Sequence, residues 1–242
     1  MTAPSIRARV RAELTEEIKS VARRHLATDG ANLSLRAVAR ELGLVSSALY
    51  RYFASRDELL TALIVDAYRA LGDAAEAADA TATDTDLRGR WLAVCHAVRQ
   101  WALHHPAEYA LIYGSPVPGY VAPADTTASA QRVVLTLGGI LLDAARTGRL
   151  TPPPTSAPPP PVRADLARLI AQYPDAADQG GRAAGSHDAL TEEQLARGLA
   201  GWSQLFGLVS FEIFGRLEQV VDQRELYFDH QMRLMADLAG LP

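Results

Sequence analysis

Residues 34–58 read SLRAVARELGLVSSALYRYFASRDE, two short helical segments divided by a glycine and followed by the start of a third. Leu35, Val38, Ala39 and Leu42 recur at helical spacing behind Ser34, whose hydroxyl suits a helix N-cap. Gly43 supplies the permissive backbone on which that helix ends. In the second segment, expected over Ser46–Phe53, Leu49 and Phe53 stand four residues apart and give one buried stripe. Ser46, Ser47, Tyr50, Arg51 and Tyr52 crowd the other side with hydrogen-bonding groups, as a face that reads DNA requires. Ser55 and Glu58 then match the S-x-x-E capping box, so a new helix starts there and runs through Leu59, Leu60, Leu63, Ile64, Ala67 and Leu71 toward Ala80.

Upstream, Arg7–Thr28 reads as a first helix with the apolar stripe Leu14, Ile18, Val21, Ala22 and Leu26, ended by Asp29-Gly30. Its leading arginines, Arg7, Arg9 and Arg11, form either a frayed arm that reaches along a DNA backbone or into a minor groove, or a disordered basic tail. Residues 1–56 carry ten Lys and Arg against five Asp and Glu, a net +5 in a chain whose total is −4, so the remainder is −9. A basic segment beside an acidic body fits a phosphate-binding module joined to a domain with another task; the plain alternative is a chance excess of arginine on a solvated face.

The run Leu49-Tyr50-Arg51-Tyr52-Phe53 followed by Ser55-Arg56-Asp57-Glu58, together with the glycine turn, the helix lengths and the spacing to the fourth helix, resembles the N-terminal pattern of the tetracycline-repressor (TetR-like) transcription regulators over roughly residues 10–60. The resemblance implies that the second helix of the pair enters the major groove of double-stranded operator DNA. Ser46, Ser47 and Ala48 would then touch base edges or thymine methyls, Tyr50 and Tyr52 would mainly hold phosphates, and Ser34 would meet a phosphate at a helix N-terminus. Arg56 resembles a phosphate-gripping residue, while Arg51 and Arg36 are the expected sequence readers through bidentate contacts with guanine. Two positions depart from the pattern: Val45 stands where a serine is usual, and Tyr52 where a histidine is common. The helix cap is expected to shift to Ser46, and the phosphate contact to pass to the tyrosine hydroxyl.

Beyond this segment the chain stays helical. A helix over Leu87–His105 places Leu87, Trp91, Cys95, Val98 and Trp101 or Ala102 on one face before Pro106 breaks it. AEYALIYG and the irregular SPVPGYVAPAD follow, then a helix over Thr126–Arg146. The proline-dense TPPPTSAPPPPV is expected to be extended and the insert at about residues 151–189 mobile, with one short helix inside it. Thr191 and Gln194 form a second capping-box match opening a long helix, and a last helix covers Arg224–Leu238. No convincing strand alternation occurs, so the expected fold is all-α, with a helix-turn-helix domain over 1–56 and a helical regulatory and dimerisation domain over 57–242. The lone Cys95 allows no intramolecular disulfide, the start has no apolar signal-peptide core, and no apolar run is long enough to span a bilayer, which places the expected protein in the cytoplasm with no membrane partner.

The run Trp202-Ser203-Gln204-Leu205-Phe206-Gly207 is similar to the Trp-x-x-x-His-Gly motif of one TetR-like subgroup, with Phe206 in place of the histidine, and HHPAEYALIYGSPVPGY looks like that subgroup's middle segment. The resemblance implies a homodimer through the last two helices and a small-molecule effector of unknown identity bound among the helices; a monomer whose insert covers those apolar faces is the rival. Pocket candidates are Trp91, Cys95, His96, Arg99, Tyr109, Tyr113, Trp202 and Phe206, although an aromatic stripe at helical spacing is packed core more often than pocket wall. The function expected is a homodimeric repressor released from its operator by that effector; the alternative is a helical sensor or interaction protein without sequence-specific DNA binding. Catalytic, cofactor and metal sites are not expected. Cys95 and His96 are adjacent and point apart on a helix, as do His104 and His105, and there is no Gly-rich phosphate loop or G-x-S-x-G elbow.

Overall fold

The computed structural model describes residues 5–29, 33–83, 85–123, 126–151, 157–172 and 190–242, and every regular element among them is an α-helix. In chain order these are α1 (Ile6–Asp29), α2 (Leu35–Glu41), α3 (Ser46–Leu49), α4 (Arg56–Thr81), α5 (Leu87–His104), α6 (Pro106–Tyr113), α7 (Thr126–Ala130), α8 (Arg132–Arg146), α9 (Pro160–Gln172), α10 (Glu192–Ile213) and α11 (Arg224–Ala239). The chain divides into two compact units, Met1–Ala70 with His104–Ala130, and Leu71–Leu103 with Gln131–Pro242.

The first unit closes around Ile18, Val21, Ala22 and Leu26 of α1, Leu35, Val38 and Ala39 of α2, Leu49 of α3, and Leu59, Leu60 and Leu63 of α4. These are the residues whose 3.6-residue recurrence marks the buried stripes. Lys19 and Arg23 of α1 both donate to the Asp66 carboxylate of α4, at 2.7 and 2.8 Å, pinning the two helices. Burial works against the Lys19 charge, but Asp66 and Glu16 outweigh it and hold the ammonium above its usual value. A division at residue 56 does not match these units. Val117 is part of the same core, Ala107, Leu111 and Tyr120 pack against it, and the Tyr120 and Thr61 hydroxyls are 2.9 Å apart. The segment after Pro106 therefore joins the helix-turn-helix. That proline does more than break α5: it opens α6, where its missing N–H costs no hydrogen bond.

The second unit is built on α5, α8, α10 and α11. Trp91 is fully buried and its indole N–H donates to the Met232 carbonyl at 3.2 Å. A Cβ at Gly201 would stand 2.8 Å from that indole, so only glycine lets α10 come this close. Thr191 and Gln194 form the complete capping box that opens α10, with the two reciprocal bonds at 3.2 and 2.8 Å. The expected helix over Thr126–Arg146 is broken at Gln131, the same point at which the chain passes from one unit to the other.

Part of the insert is regular. Its middle forms α9, which packs on α10 and buries Leu166. Pro160 and Pro161, expected to be extended, are instead the first residues of α9, a position that lacks intrahelical N–H bonds and so tolerates proline. The rest of that expectation, at residues 152–156 and 173–189, lies outside the described residues.

Candidate nucleic-acid interface

Ser34 caps α2 from an extended backbone, its hydroxyl accepting the Ala37 N–H at 3.4 Å. At the other end Gly43 turns at φ +66, the left-handed conformation that glycine adopts without a Cβ penalty, and Leu44 N–H bonds back to the Ala39 carbonyl at 2.9 Å. The turn then delivers α3, which is shorter than its apolar spacing suggests. It ends at Leu49, and a tight turn continues in which Tyr52 and Phe53 N–H both reach the Leu49 carbonyl, at 2.9 and 3.1 Å.

The cap of α3 does not move to Ser46. Val45 occupies the N-cap position at φ −69, ψ 140 and gives no side-chain bond, because valine has no acceptor. Ser46 already belongs to the first turn. Leu49 and Phe53 are buried; Ser34, Arg36, Ser47, Tyr50 and Arg51 are exposed; Ser46, Ala48, Tyr52 and Arg56 are half-buried. Two apolar anchors thus hold the segment from beneath and leave most of its polar groups open to solvent. Arg56 is partly committed already, since its Nε donates to the Leu33 carbonyl at 3.1 Å and its Nη1 lies 3.5 Å from the Asp57 carboxylate.

The leading arginines are neither a frayed arm nor a disordered tail. α1 begins at Ile6, so Arg7, Arg9 and Arg11 are helical. Arg11 reaches across to the recognition segment, donating from Nη2 to the Arg51 carbonyl at 3.0 Å while its guanidinium carbon sits 4.9 Å over the Tyr52 ring.

Of the eight pocket candidates, Tyr109 and Tyr113 belong to the first unit and the other six to the second. Tyr113 stands between Tyr109, at 5.1 Å, and Tyr68, edge-on at 6.0 Å, and burial pushes its hydroxyl above the ordinary phenol range. In the second unit Trp91 and Cys95 are fully buried, and burial likewise drives the Cys95 thiol well above its usual range. Arg99 makes a two-pronged bond to Glu212 at 2.8 and 2.7 Å, with side chains only 6% and 8% exposed. Its guanidinium also faces the Phe228 ring at 5.5 Å. His96 Nε2 is 3.0 Å from the Asp229 carboxylate, which hydrogen bonds from Arg233, then from His96, hold below the usual carboxylate range. Trp202 meets Phe206 edge-on at 5.9 Å.

Glu212 and Asp229 were not among the expected site residues. Glu212 carried a signal: a lone carboxylate inside the apolar run LVSFEIFG needs a buried cation opposite it. Among the described residues no cluster of three His, Cys, Asp or Glu suits a metal ion, and no helix is long and apolar enough to cross a membrane.

A capped helix, a left-handed glycine turn and an outward polar one-turn helix on a three-helix core define a helix-turn-helix DNA-binding regulator. Residues 18–63 match the family described as bacterial regulatory proteins, tetR family, and residues 91–235 match the tetracyclin repressor-like C-terminal domain. The chain belongs to the TetR family of transcriptional regulators. It is 38% identical over 238 residues to the HTH-type transcriptional regulator Rv1816 of Mycobacterium tuberculosis, covering 93% of this chain and 92% of that protein. The solved structure of regulatory protein SCO4313 shares 35% identity and a TM-score of 0.71, over 96% of this chain and 98% of that one. A tetR-family regulatory protein from Rhodococcus RHA1 has the same fold at 15% identity, with a TM-score of 0.62 over 94% and 97% of the two chains.

Proposed function

We propose that the chain is a homodimeric repressor that holds operator DNA through α2 and α3 and releases it when a small molecule binds the second unit. The exposed polar surface of the recognition segment carries the reading: Ser47, Tyr50 and Arg51 face solvent beside the half-buried Ser46, Ala48 and Tyr52 while Leu49 and Phe53 anchor the turn. Arg51 and Arg36 read guanine edges, Tyr50, Tyr52 and Ser34 hold phosphates, and Arg56 contributes a phosphate contact.

One such unit makes few base contacts, so two copies bind half-sites about 34 Å apart or a multiple of it. Dimerisation is assigned to α10 and α11, where Phe211, Phe214, Leu226 and Leu234 are exposed in the single chain, two of them by more than half. Effector contact is assigned to the half-buried His96 on α5 and Trp202 on α10, with the buried Phe206 edge-on to Trp202. Trp91, Cys95 and Arg99 act as the packed wall behind them, because their side chains are already buried and, for Trp91 and Arg99, bonded.

The test is footprinting of DNA upstream of the protein's own gene, with the oligomeric state measured by light scattering. Two protected half-sites, a dimer, and a loss of about 1–3 kcal/mol in binding for Arg51→Ala are expected. A monomer, or protection unaffected by Arg51→Ala, ends this reading. For the switch, failure of every effector in a broad metabolite screen to lower operator affinity ends the release mechanism.

A further inference from the structure

We infer that Arg11 is a positioning residue for sequence reading: from α1 it fixes the C-terminal end of the recognition segment, and with it the directions of Arg51 and Tyr52. The inference rests on the DNA-binding role proposed above. α3 is a single turn with no side-chain cap at its start, so its own hydrogen bonds do little to fix it. The last carbonyls of such a turn attract a cation, and Arg11 provides one from 40 residues away in the chain, with Nη2 3.0 Å from the Arg51 carbonyl. The same guanidinium lies over the Tyr52 ring at 4.9 Å. One side chain thus grips the backbone of the residue expected to read guanine and the ring of the residue expected to hold a phosphate. A positively charged residue this near the DNA-reading segment has an obvious rival role, a direct phosphate contact, and the two roles give different results.

A phosphate contact carries no sequence information, so its loss weakens operator and non-operator DNA alike and lowers the slope of log K against log salt by about 0.9. A positioning residue affects operator binding far more than non-operator binding. The experiment compares full-length wild type, Arg11→Met, Arg11→Lys, Tyr52→Leu and the Arg11→Met/Tyr52→Leu double variant on an operator fragment and on unrelated DNA of equal length, across a salt series. Arg11→Met is expected to weaken operator binding about tenfold, to leave unrelated DNA within about twofold, and to keep the salt slope. The double variant should lose less than the sum of the two single losses, because the contact between the Arg11 guanidinium and the Tyr52 ring is shared and can be lost only once. Arg11→Lys keeps charge and stem but cannot stack and donate to the carbonyl together; it should lower the operator preference about threefold, and it carries the test if Arg11→Met fails to fold.

Equal losses on both DNAs with a reduced slope, additive effects in the double variant, or an unchanged operator preference in both Arg11 variants would overturn the inference. A wild type with no operator preference brings down the proposed function, and this inference with it. A wild type with preference but indifferent Arg11 variants brings down the inference alone.

Discussion

The two helices opened by Val45 and Thr191 reach stability by opposite routes. α10 runs for 22 residues, starts with both bonds of a capping box, and buries Leu205, Phe206, Leu208 and Val209 along its length. α3 has four residues, no side-chain cap, and a single buried residue, Leu49. An isolated turn of that length would not persist in water. Its order comes from neighbours instead: Leu49 and Phe53 seated in the first core, and Arg11 holding its far end. The difference fits the work proposed for each. A helix that reads DNA must leave its polar groups unpaired by protein, so it cannot use them for its own support. A helix in a packed unit has no such constraint.

The largest effect should appear where support is buried and charged. Glu212→Ala removes the carboxylate from Arg99 and leaves a guanidinium enclosed without its counter-ion, at a cost of about 3–5 kcal/mol. Arg99→Met with Glu212→Leu removes both charges and should recover most of that loss, since an apolar pair of similar volume often matches a buried ion pair. Chemical denaturation of the three proteins checks this. A double variant as unstable as Glu212→Ala would mean that the surroundings, and not the orphaned charge, set the cost. On the other side of the comparison, Leu49→Ala should cost about 2–5 kcal/mol and abolish operator binding together with the fold of the recognition segment. The equivalent change on α10, Leu205→Ala, should cost a similar amount while α10 stays helical, because its other anchors remain. Hydrogen exchange at α3 and α10 amides separates the outcomes, and retained protection at α3 in Leu49→Ala would break the contrast.

How far these features could be read from the residues depends on how local their causes are. Ser34, Gly43, the Ser55 hydroxyl and the Thr191–Gln194 capping box act within a few residues of themselves, and the helices begin and end where they indicate, although Glu58 accepts the Ala54 N–H and so does not close a box with Ser55. Leu49 and Phe53 declared the buried side of the recognition segment by their spacing. The length of α3 was not legible, because an apolar i, i+4 pair fits both a second helical turn and the tight turn found here. Val117, Leu111 and Tyr120 joining the first core was not legible either, since that packing depends on the chain returning from α5, which no periodicity encodes. Arg11 read as part of a basic arm reaching for DNA or of a disordered tail; its two contacts lie about 40 residues along the chain. Glu212 announced a partner without saying which arginine it was.

The smallest effect tests the missing cap itself. Val45 is 70% exposed and already holds an extended backbone of the kind an N-cap residue adopts. Val45→Ser therefore needs no rearrangement, and its hydroxyl can accept an N–H in the first turn of α3, adding about 0.5–1 kcal/mol. The matched change on the well-supported helix runs the other way: Thr191→Ala deletes both the hydroxyl acceptor and the reciprocal geometry of Gln194, costing about 1 kcal/mol. If α3 is held mainly by its anchors and by Arg11, the added cap should raise thermal stability without changing which operator is preferred, because the new hydroxyl is engaged by a first-turn N–H and not by a base. A Val45→Ser variant whose operator preference shifts would show that the valine itself touches a base, where its methyls match the C5-methyl of thymine. Replacing thymine by deoxyuridine in the operator then decides the point, since a methyl contact makes wild type lose affinity on the altered DNA and leaves Val45→Ser indifferent to it.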